Sequence, residues 1–341
     1  MRPTVNDIAR AAGVSLATVD RVLNARPGVR KVTIERVNRA IEELGYVRDL
    51  SAANLARRRT YRFVFVLPEG DSQFQRALRE TVEEVARHAV RERMAVNTVL
   101  VPPGDPHHLA RVLHGLEGGD VEGVAIMAPE TPHVRDAIRH LKEHGVAVVS
   151  LVSDLPNTEQ DHFVGIDNIA AGRTAGVLMR RFLGGSSGKI LVLGNTMILR
   201  ESVERRLGFD AALIECYPRI EVLPSIEWRD DPELLERNVR AAFASYDNII
   251  GVYVTGSGNR LFSRVLAPYR EEHELVYIAH ELTEHTRAAL IGGSIDVVIT
   301  QDIGHVVRST LRVLRAKVDR TEIDAAQERI RIDIILKENL T

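Results

Sequence analysis

The sequence has a single cysteine in 341 residues, so it cannot form an internal disulfide, and nothing ties it to an oxidising compartment. No window approaches the roughly 18 consecutive apolar residues that span a bilayer. The first seven residues lack the apolar run of a signal peptide. With 45% hydrophobic and 27% charged residues, the chain is also unlike disordered sequences. We therefore expect a cytoplasmic globular protein with no membrane partner.

The charge of the chain is divided unevenly. Residues 1–60 carry 12 Lys and Arg against 6 Asp and Glu, a net charge of +6, whereas the remainder carries 33 against 41, a net charge of −8. A short basic block (residues 1–60) before a long acidic body is typical of a nucleic-acid-binding module attached to a second module. A solvated basic surface is the alternative that charge alone leaves open.

The basic block begins with two predicted helices. Thr4 precedes an apolar-periodic run and Asp7 follows three residues later, which is the pattern of a helix start with a capping acid. Gly13 ends this helix, and Ser15 can cap the next one, Leu16 to Asn24. Two short helices separated by a glycine turn form a helix-turn-helix unit.

A third helix is predicted to begin at Thr33 and to end at Gly45. Its inward-facing residues, spaced by three or four, are Ile34, Val37, Ile41 and Leu44. The basic block is therefore predicted to be all-α.

Three stretches of the basic block carry a more specific pattern. They are VNDIARAAGVSLATVDRVLN at 5–24, IEELGY at 41–46 and LSAANLA at 50–56. Together they resemble the DNA-binding headpiece and hinge helix of the lac repressor (LacI-type) family of transcription regulators. The resemblance implies a headpiece at 1–48 and a hinge helix and linker at 49–60.

The resemblance also implies which residues touch double-stranded operator DNA. They are Ser15, Leu16, Ala17, Thr18, Asp20, Arg21, Asn24, Ala52 and Leu55. Leu16 and Ala17 hold the two positions that select sequence, and as apolar side chains they can only contact a thymine methyl. Arg21 can bind a guanine through two hydrogen bonds. Leu55 matches the hinge leucine that wedges into the minor groove, in register with Ala52.

Asp20 departs from the serine that many family members carry. An acid on a DNA-facing helix repels phosphate unless it accepts from a cytosine amino group or pairs with a basic residue. We expect Asp20 either to pair with Arg21 or Arg10 or to accept from a cytosine.

The body alternates β-rich runs with helical lengths. The runs are 62–67, 96–101, 123–127, 146–151, 189–193, 220–223, 249–254, 275–278 and 297–299. Continuous apolar runs suit parallel strands buried on both faces, and helical spacers such as 168–183 make βαβ crossovers. The body is therefore predicted to be α/β with doubly wound parallel sheets.

The regulatory module of the family resembles type I periplasmic sugar-binding proteins, with two such sheets and three crossovers. The resemblance therefore implies an effector-binding and dimerisation domain at 61–341. Its N-subdomain would hold about 61–153 and 297–322, and its C-subdomain about 162–292 and 325–341. A further family-like stretch runs from Val164 to Gly172, at a helix start, where we expect Asp167 to be the cap.

Candidate effector-binding residues follow the strands, where ligands of open α/β sheets bind. They are Asp71, Phe74, Ser153, Asp154, Arg205, Trp228, Gly256, Ser257, His280, Glu281 and Gln301. Arg205 and Gln301 match ligand-binding positions of the family, whereas the residues at 256–257 and 280–281 depart from the family's usual Asn-Asp and Asp. These departures put a simple hexose in doubt. A sugar, a cyclitol or, through Arg205 and His280, a sugar acid is expected.

The two stretches that resemble catalytic motifs, a zinc-binding histidine pair and a P-loop, do not have the residue spacing that these motifs require. His280 and His285 are five residues apart rather than four, which separates them by about 140° around a helix. The glycine-rich stretch 184–189 is one residue short of a P-loop and lacks its Ser or Thr. We therefore expect no enzyme activity, no catalytic residues, no metal and no cofactor.

The sequence thus predicts an effector-controlled, DNA-binding transcription repressor that binds a pseudo-palindromic operator. The long C-terminal helix by which the lac repressor tetramerises has no counterpart after the last strand, which favours a homodimer. The alternative is a cytoplasmic small-molecule sensor whose headpiece does not bind DNA.

Overall fold

The structure is a computed structural model that describes residues 3–23, 26–46, 59–70, 72–216, 218–272 and 274–340. The chain forms two compact units, Met1–Arg59 and Thr60–Thr341. Each unit has its own hydrophobic core.

The first unit contains three helices. They are α1 (Val5–Ala12), α2 (Leu16–Leu23) and α3 (Lys31–Leu44). The predicted capping box is confirmed, because the Thr4 hydroxyl accepts from the amide of Asp7 while the Asp7 carboxylate accepts from the amide of Thr4 at 2.9 Å. Gly13 ends α1 in the left-handed conformation, at φ 61°.

The third helix differs from its prediction in two respects. It begins at Lys31 rather than Thr33, and its N-cap residue Arg30 makes no side-chain capping bond. Val37 is fully buried, but Ile34 and Leu44 are each 36% exposed. A three-helix unit of this size covers only the middle of its longest helix, so the apolar residues near the two ends remain at the rim.

The second unit contains two parallel sheets and the helices that connect their strands. The strands are β1 (Tyr61–Pro68), β2 (Met94–Val101), β3 (Gly123–Ile126), β4 (Ala147–Leu151), β5 (His162–Val164), β6 (Gly188–Gly194), β7 (Ile220–Val222), β8 (Ile226–Glu227), β9 (Ile249–Val254), β10 (Val276–His280), β11 (Val297–Thr300) and β12 (Asp333–Ile335). The helices are α4 (Gln73–Ala89), α5 (Pro106–His114), α6 (Pro132–Glu143), α7 (Asn168–Phe182), α8 (Arg200–Leu213), α9 (Pro232–Ser245), α10 (Asn259–Glu272), α11 (Glu284–Ile291) and α12 (Ile303–Asp319). In the described part of the chain, no helix combines the length and apolarity needed to cross a bilayer.

The strand order is that of two doubly wound sheets. The first sheet has the order β2-β1-β3-β4-β5, and the second has the order β12-β11-β10-β9-β6-β7, with β8 paired to β6. The described pairings are parallel except for β11 with β12. The buried runs of β3 and β4 are covered on both faces, as the apolar sequence predicts. The predicted fold class is confirmed.

The strand pairing shifts two predicted subdomain borders. β5, at 162–164, pairs with β4 in the first sheet, although the sequence places residue 162 in the C-subdomain. β11 pairs with β10 in the second sheet, although the sequence places residue 297 in the N-subdomain, whereas α12 does pack on the first sheet. The physical reason is that an apolar run is suited to either sheet, and only its hydrogen-bonding partner decides which one it joins.

Helices α7 and α8 pack unusually closely through glycines. A β-carbon at Gly172 of α7 would overlap the carbonyl oxygen of Arg205 in α8. A β-carbon at Gly208 of α8 would overlap the carbonyl oxygen of Ile169 in α7. This close approach fixes the position of α8, which carries Arg205 toward the strand ends of the second sheet.

Candidate functional site

Buried polar residues lie directly after several parallel strands. Thr255 follows β9, Glu281 follows β10 and Gln301 follows β11, all in the second sheet, while Ser153 lies two residues after β4 of the first. Because β9, β10 and β11 are parallel neighbours, their carboxyl ends meet at one edge of the sheet. The edge therefore gathers polar side chains that are remote in sequence.

Arg205 is the centre of this group and is only 1% exposed. Its Nε donates to Oδ1 of Asn168 at 2.9 Å, and its Nη1 donates to the carbonyl oxygen of Thr255 at 2.9 Å. Its Nη2 lies 3.1 Å from Oε1 of Glu281, as an ion pair. The guanidinium thus joins α8 to the start of α7 and to the ends of β9 and β10, and it is not a surface arginine. Its neighbour Arg206 is half-buried, pairs with Asp210 on the same helix at 2.8 Å and donates to the Ser225 hydroxyl at 2.6 Å.

Two titratable residues beside Arg205 have shifted pKa values. Burial raises the pKa of Glu281, although the Arg205 guanidinium opposes the shift, and the nearby Glu201 carboxylate adds to it. Burial, with the Arg205 charge, holds the pKa of His280 well below its ordinary value, so this imidazole is neutral near pH 7. Its Nε2 is hydrogen-bonded to the Tyr253 hydroxyl at 2.8 Å.

The backbone is strained where two of these strands end. Glu281 has φ 72° and Val152, directly after β4, has φ 66°. Left-handed conformations are costly for residues with side chains, especially for a β-branched valine, and they concentrate at functional sites. The strain therefore supports a ligand site at these strand ends.

Several buried polar atoms of this region have no hydrogen-bond partner among the described residues. They are Oγ of Ser150 and Ser153, Oε2 of Glu201 and Glu281, Oδ1 of Asn259, Nδ1 of His280, Nη2 of Arg205, Nε1 of Trp228, and both amide atoms of Gln301. A buried polar group left unpaired costs about 1–3 kcal/mol, so native proteins rarely collect so many in one place without a use for them. A polar ligand would satisfy such a set.

The predicted effector residues divide into two groups. Ser153, Arg205, His280, Glu281 and Gln301 are buried polar residues at or beside the strand ends, where the prediction puts them. Gly256 and Ser257 form the loop after β9, and a β-carbon at Gly256 would lie 3.9 Å from Nη1 of Arg205.

The other predicted effector residues have local partners or lie elsewhere. The Asp154 carboxylate accepts from the amide of Leu155 at 2.8 Å and from Nε2 of Gln160 at 2.6 Å, which holds its own loop. Phe74 is buried in the hydrophobic core on the first turn of α4. Trp228 stands edge-on to Phe262, with ring centroids 6.3 Å apart. Asp71 lies outside the described residues. These ligand roles stay predictions.

The sequence reasoning missed polar residues that complete the group. Glu201 precedes Arg205 by four residues on α8, a spacing that puts both on one helix face and could have indicated it. Asn259 donates to the carbonyl oxygen of His280 at 2.8 Å. Asn168 directly follows Asp167, whose predicted capping role is confirmed by its bond from the amide of Ala170 at 2.9 Å. Asn168 itself has no sequence signal of its role.

The first unit presents the predicted DNA-contact residues on an exposed face of α2. Leu16 is 49% exposed, and Ala17 and Arg21 are also exposed, whereas Val19 is fully buried. The Ser15 hydroxyl accepts from the amide of Thr18 at 3.2 Å and so caps α2. The remaining predicted contacts, Asn24, Ala52 and Leu55, lie outside the described residues.

The structure gives Asp20 a partner besides the two predicted ones. Oδ2 of Asp20 lies 3.4 Å from Nη1 of Arg26, a residue the sequence reasoning did not consider. Arg10, one of the two predicted partners, instead pairs with Asp7 at 3.4 Å, because the two stand one turn apart on α1.

Comparison with known families identifies both units. Residues 4–49 match the family described as "Bacterial regulatory proteins, lacI family", and residues 63–322 match the family described as "Periplasmic binding protein domain". The chain belongs to the lacI family of bacterial regulatory proteins. Its LacI-type headpiece and its periplasmic-binding-protein-like body agree with the resemblance drawn from the sequence.

Several known regulators are similar to this LacI-family chain. The HTH-type transcriptional regulator CelR of Thermobifida fusca is 32% identical over 217 residues, 62% of each protein. The HTH-type transcriptional regulator DegA of Bacillus subtilis (strain 168) is 24% identical over 259 residues, which are 73% of this chain and 74% of DegA. Catabolite control protein A of Priestia megaterium is 30% identical over 169 residues, so the match spans about half of its length (48%). That the relatives are transcription regulators confirms the expectation that the chain is not an enzyme.

Solved structures show the same fold in the second unit. GanP, a glucose-galactose binding protein from Geobacillus stearothermophilus, is similar with a TM-score of 0.72 and 17% identity, over 83% of this chain and 99% of GanP. A solute binding protein from Burkholderia graminis C4D1M, solved with D-arabinose, gives a TM-score of 0.72 and 20% identity, over 83% of this chain and 97% of its own. At these identities the likeness establishes the fold.

Proposed function

We propose that this LacI-family chain is a cytoplasmic, homodimeric transcription repressor that binds a pseudo-palindromic operator and is controlled by a small polyhydroxyl effector. The observation that carries the effector role is the set of buried, unpartnered polar atoms around Arg205 at the strand ends. Two proteins of similar fold are named for sugars or were solved with one, glucose-galactose for GanP and D-arabinose for the Burkholderia protein. Ligands of open α/β sheets bind at the carboxyl ends of the strands. The exposed face of α2 on a basic block carries the DNA role.

The proposed reading of DNA follows from the side chains of α2. This helix would lie in the major groove, where the Arg21 guanidinium can bind a guanine and Leu16 and Ala17 can contact thymine methyls. A homodimer would place two such helices on two half-sites related by the two-fold axis of the dimer. The family resemblance assigns Leu55 the wedge that bends the duplex between them.

Control by the effector would pass through Asn168. Its Nδ2 donates to the carbonyl oxygen of Val152, after β4 of the first sheet, at 3.4 Å, and its Oδ1 accepts from Arg205. A ligand that binds Glu281 and Arg205 therefore touches a hydrogen-bonded chain that joins the two sheets. The effector would act by favouring either the conformation that binds DNA or one that does not. It can change the free energy of DNA binding by no more than the difference between its own binding free energies for these two conformations.

The DNA role predicts a steep salt dependence. We expect operator affinity of the full chain to fall by about 10³-fold or more between 50 and 200 mM salt if six or more phosphates are contacted. Operators are first selected from random duplexes, and fluorescence anisotropy then gives Kd.

Arg21→Ala should make the free energy of operator binding less favourable by about 1–3 kcal/mol and remove the preference at one base pair. Arg39→Ala, at an exposed position of α3, should leave base preferences unchanged. Selection of no duplex would instead favour a sensor whose headpiece does not bind DNA.

The Asp20–Arg26 pair makes a second prediction about DNA. Because both side chains are about half exposed, the pair contributes at most about 1 kcal/mol to stability, so we infer that it orients groups at the DNA surface. We expect Asp20→Ser to reduce discrimination between the selected operator and its single-base variants. Competition binding measures this ratio. An equal gain of affinity for all duplexes would show that Asp20 only repels phosphate.

A further inference from the structure

The charged side chains around Arg205 are not balanced. Glu281 forms an ion pair with the guanidinium, and Glu201 supplies a second buried carboxylate from the same face of α8. The Glu201 charge acts directly on Glu281. His280 is neutral, so two buried carboxylates share the single positive charge of Arg205, and with both carboxylates ionised these four residues have one uncompensated negative charge.

Arg205 is poorly placed to bind an anion. Its Nε and Nη1 are already used by Asn168 and by the carbonyl oxygen of Thr255, and its Nη2, which has no hydrogen bond among the described residues, lies 3.1 Å from Oε1 of Glu281. A carboxylate ligand bound to Nη2 would therefore stand beside two buried acids, Glu281 and Glu201. This arrangement argues against the sugar acid that the sequence allowed through Arg205 and His280.

The unpartnered carboxylate and amide oxygens require a ligand that donates hydrogen bonds, whereas Nη2 of Arg205 and Nε1 of Trp228 are donors open to its hydroxyl oxygens. Oε2 of Glu281, Oε2 of Glu201 and Oδ1 of Asn259 are acceptors without a partner among the described residues. Gln301 lies directly after β11 and is 3% exposed, and both of its side-chain amide atoms have no partner among the described residues. This independently indicates a polar ligand here.

We propose that the effector is a polyhydroxyl compound that carries an ammonium group, which pairs with the carboxylates of Glu201 and Glu281. The inference rests on the proposed effector function and names the charge of the ligand. Hydroxyl groups alone would satisfy acceptors but would leave one buried carboxylate either without a counter-charge, which is costly in a protein interior, or protonated. An ammonium supplies three donors and the missing charge together.

Matched sugars test the charge of the ligand. Thermal shifts of the full chain are measured with glucose, glucosamine and glucuronate, and with the corresponding galactose and mannose triplets, because a ligand that binds the native state raises Tm. The amine should give the largest shift in at least one triplet. Glu201→Gln should weaken that amine at least tenfold and the matching neutral sugar less than threefold. Glu236→Gln, an exposed acid paired with Arg240 on α9, is the control and should change neither.

A second measurement needs no ligand. Because the Glu201 carboxylate has no ion pair among the described residues, Glu201→Gln should raise the Tm of the ligand-free full chain at pH 7, whereas Glu236→Gln should not. An unchanged or lowered Tm for Glu201→Gln would overturn the proposal. So would a largest shift from the neutral or acidic members, or no shift from any amine. If a neutral or acidic sugar gives the largest shift, the sugar effector of the proposed function is still supported. The selection of operator DNA tests the DNA-binding part of that function separately.

Discussion

Arg205→Ala is expected to lower the free energy of unfolding of the second unit by about 3–5 kcal/mol. The substitution leaves the Glu281 carboxylate buried without its ion pair and removes donors from Asn168 and from the carbonyl oxygen of Thr255. Breaking one side of a buried ion pair costs more than the pair contributes, because the remaining charge stays desolvated. The effect is therefore large even though the intact pair adds little net stability.

The single tryptophan provides the measurement. Trp228 lies in the second unit, so its fluorescence during urea unfolding follows that unit. Arg206→Ala is the matched control, since Arg206 is more exposed than Arg205 and its partners, Asp210 on the same helix and the Ser225 hydroxyl, are not fully buried, so we expect a smaller loss. Arg205→Leu combined with Glu281→Leu should lose less than the two single changes added together. Equal losses for the Arg205 and Arg206 variants would contradict this account.

Patterns along the chain predicted much of the local structure. Thr4 with Asp7 predicted the capping box and Gly13 predicted the end of α1, because each signal lies within one turn of the feature it specifies. The continuous apolar runs predicted parallel strands for the same local reason. The predicted start of α3 at Thr33 was wrong, because the helix begins two residues earlier, after Arg30.

The candidate site could be predicted only in part. Arg205 was found through the family resemblance, but its partners Asn168, Thr255 and Glu281 are separated from it by 37, 50 and 76 residues, so only the fold brings them together. The Asp20–Arg26 pair was missed since Arg26 lies beyond the end of α2, where helical spacing no longer indicates which residues are neighbours. Sequence patterns contain periodicity and caps, whereas partner choice depends on the packing of distant elements.

Gly172→Ala is expected to have the second large effect, a loss of about 3 kcal/mol or more in the stability of the second unit. Its β-carbon would overlap the carbonyl oxygen, carbonyl carbon and Cα of Arg205, which are backbone atoms and cannot rotate away. Relief requires α7 and α8 to separate, which moves the Arg205 guanidinium from Asn168. Gly208→Ala should act similarly from the other helix, because its β-carbon would overlap the carbonyl oxygen of Ile169.

The two glycine variants should therefore lose stability and effector binding together. Urea unfolding followed by Trp228 fluorescence gives the first quantity, and the thermal shift produced by a sugar that stabilises the unsubstituted protein gives the second. Gly115→Ala is the control: Gly115 ends α5 at φ −66°, its added β-carbon would lie 3.4 Å from the nearest atom, and alanine there should change stability by less than about 1 kcal/mol. If Gly172→Ala were as stable as Gly115→Ala, α7 and α8 would not be packed at the distance that places Arg205 beside Glu281.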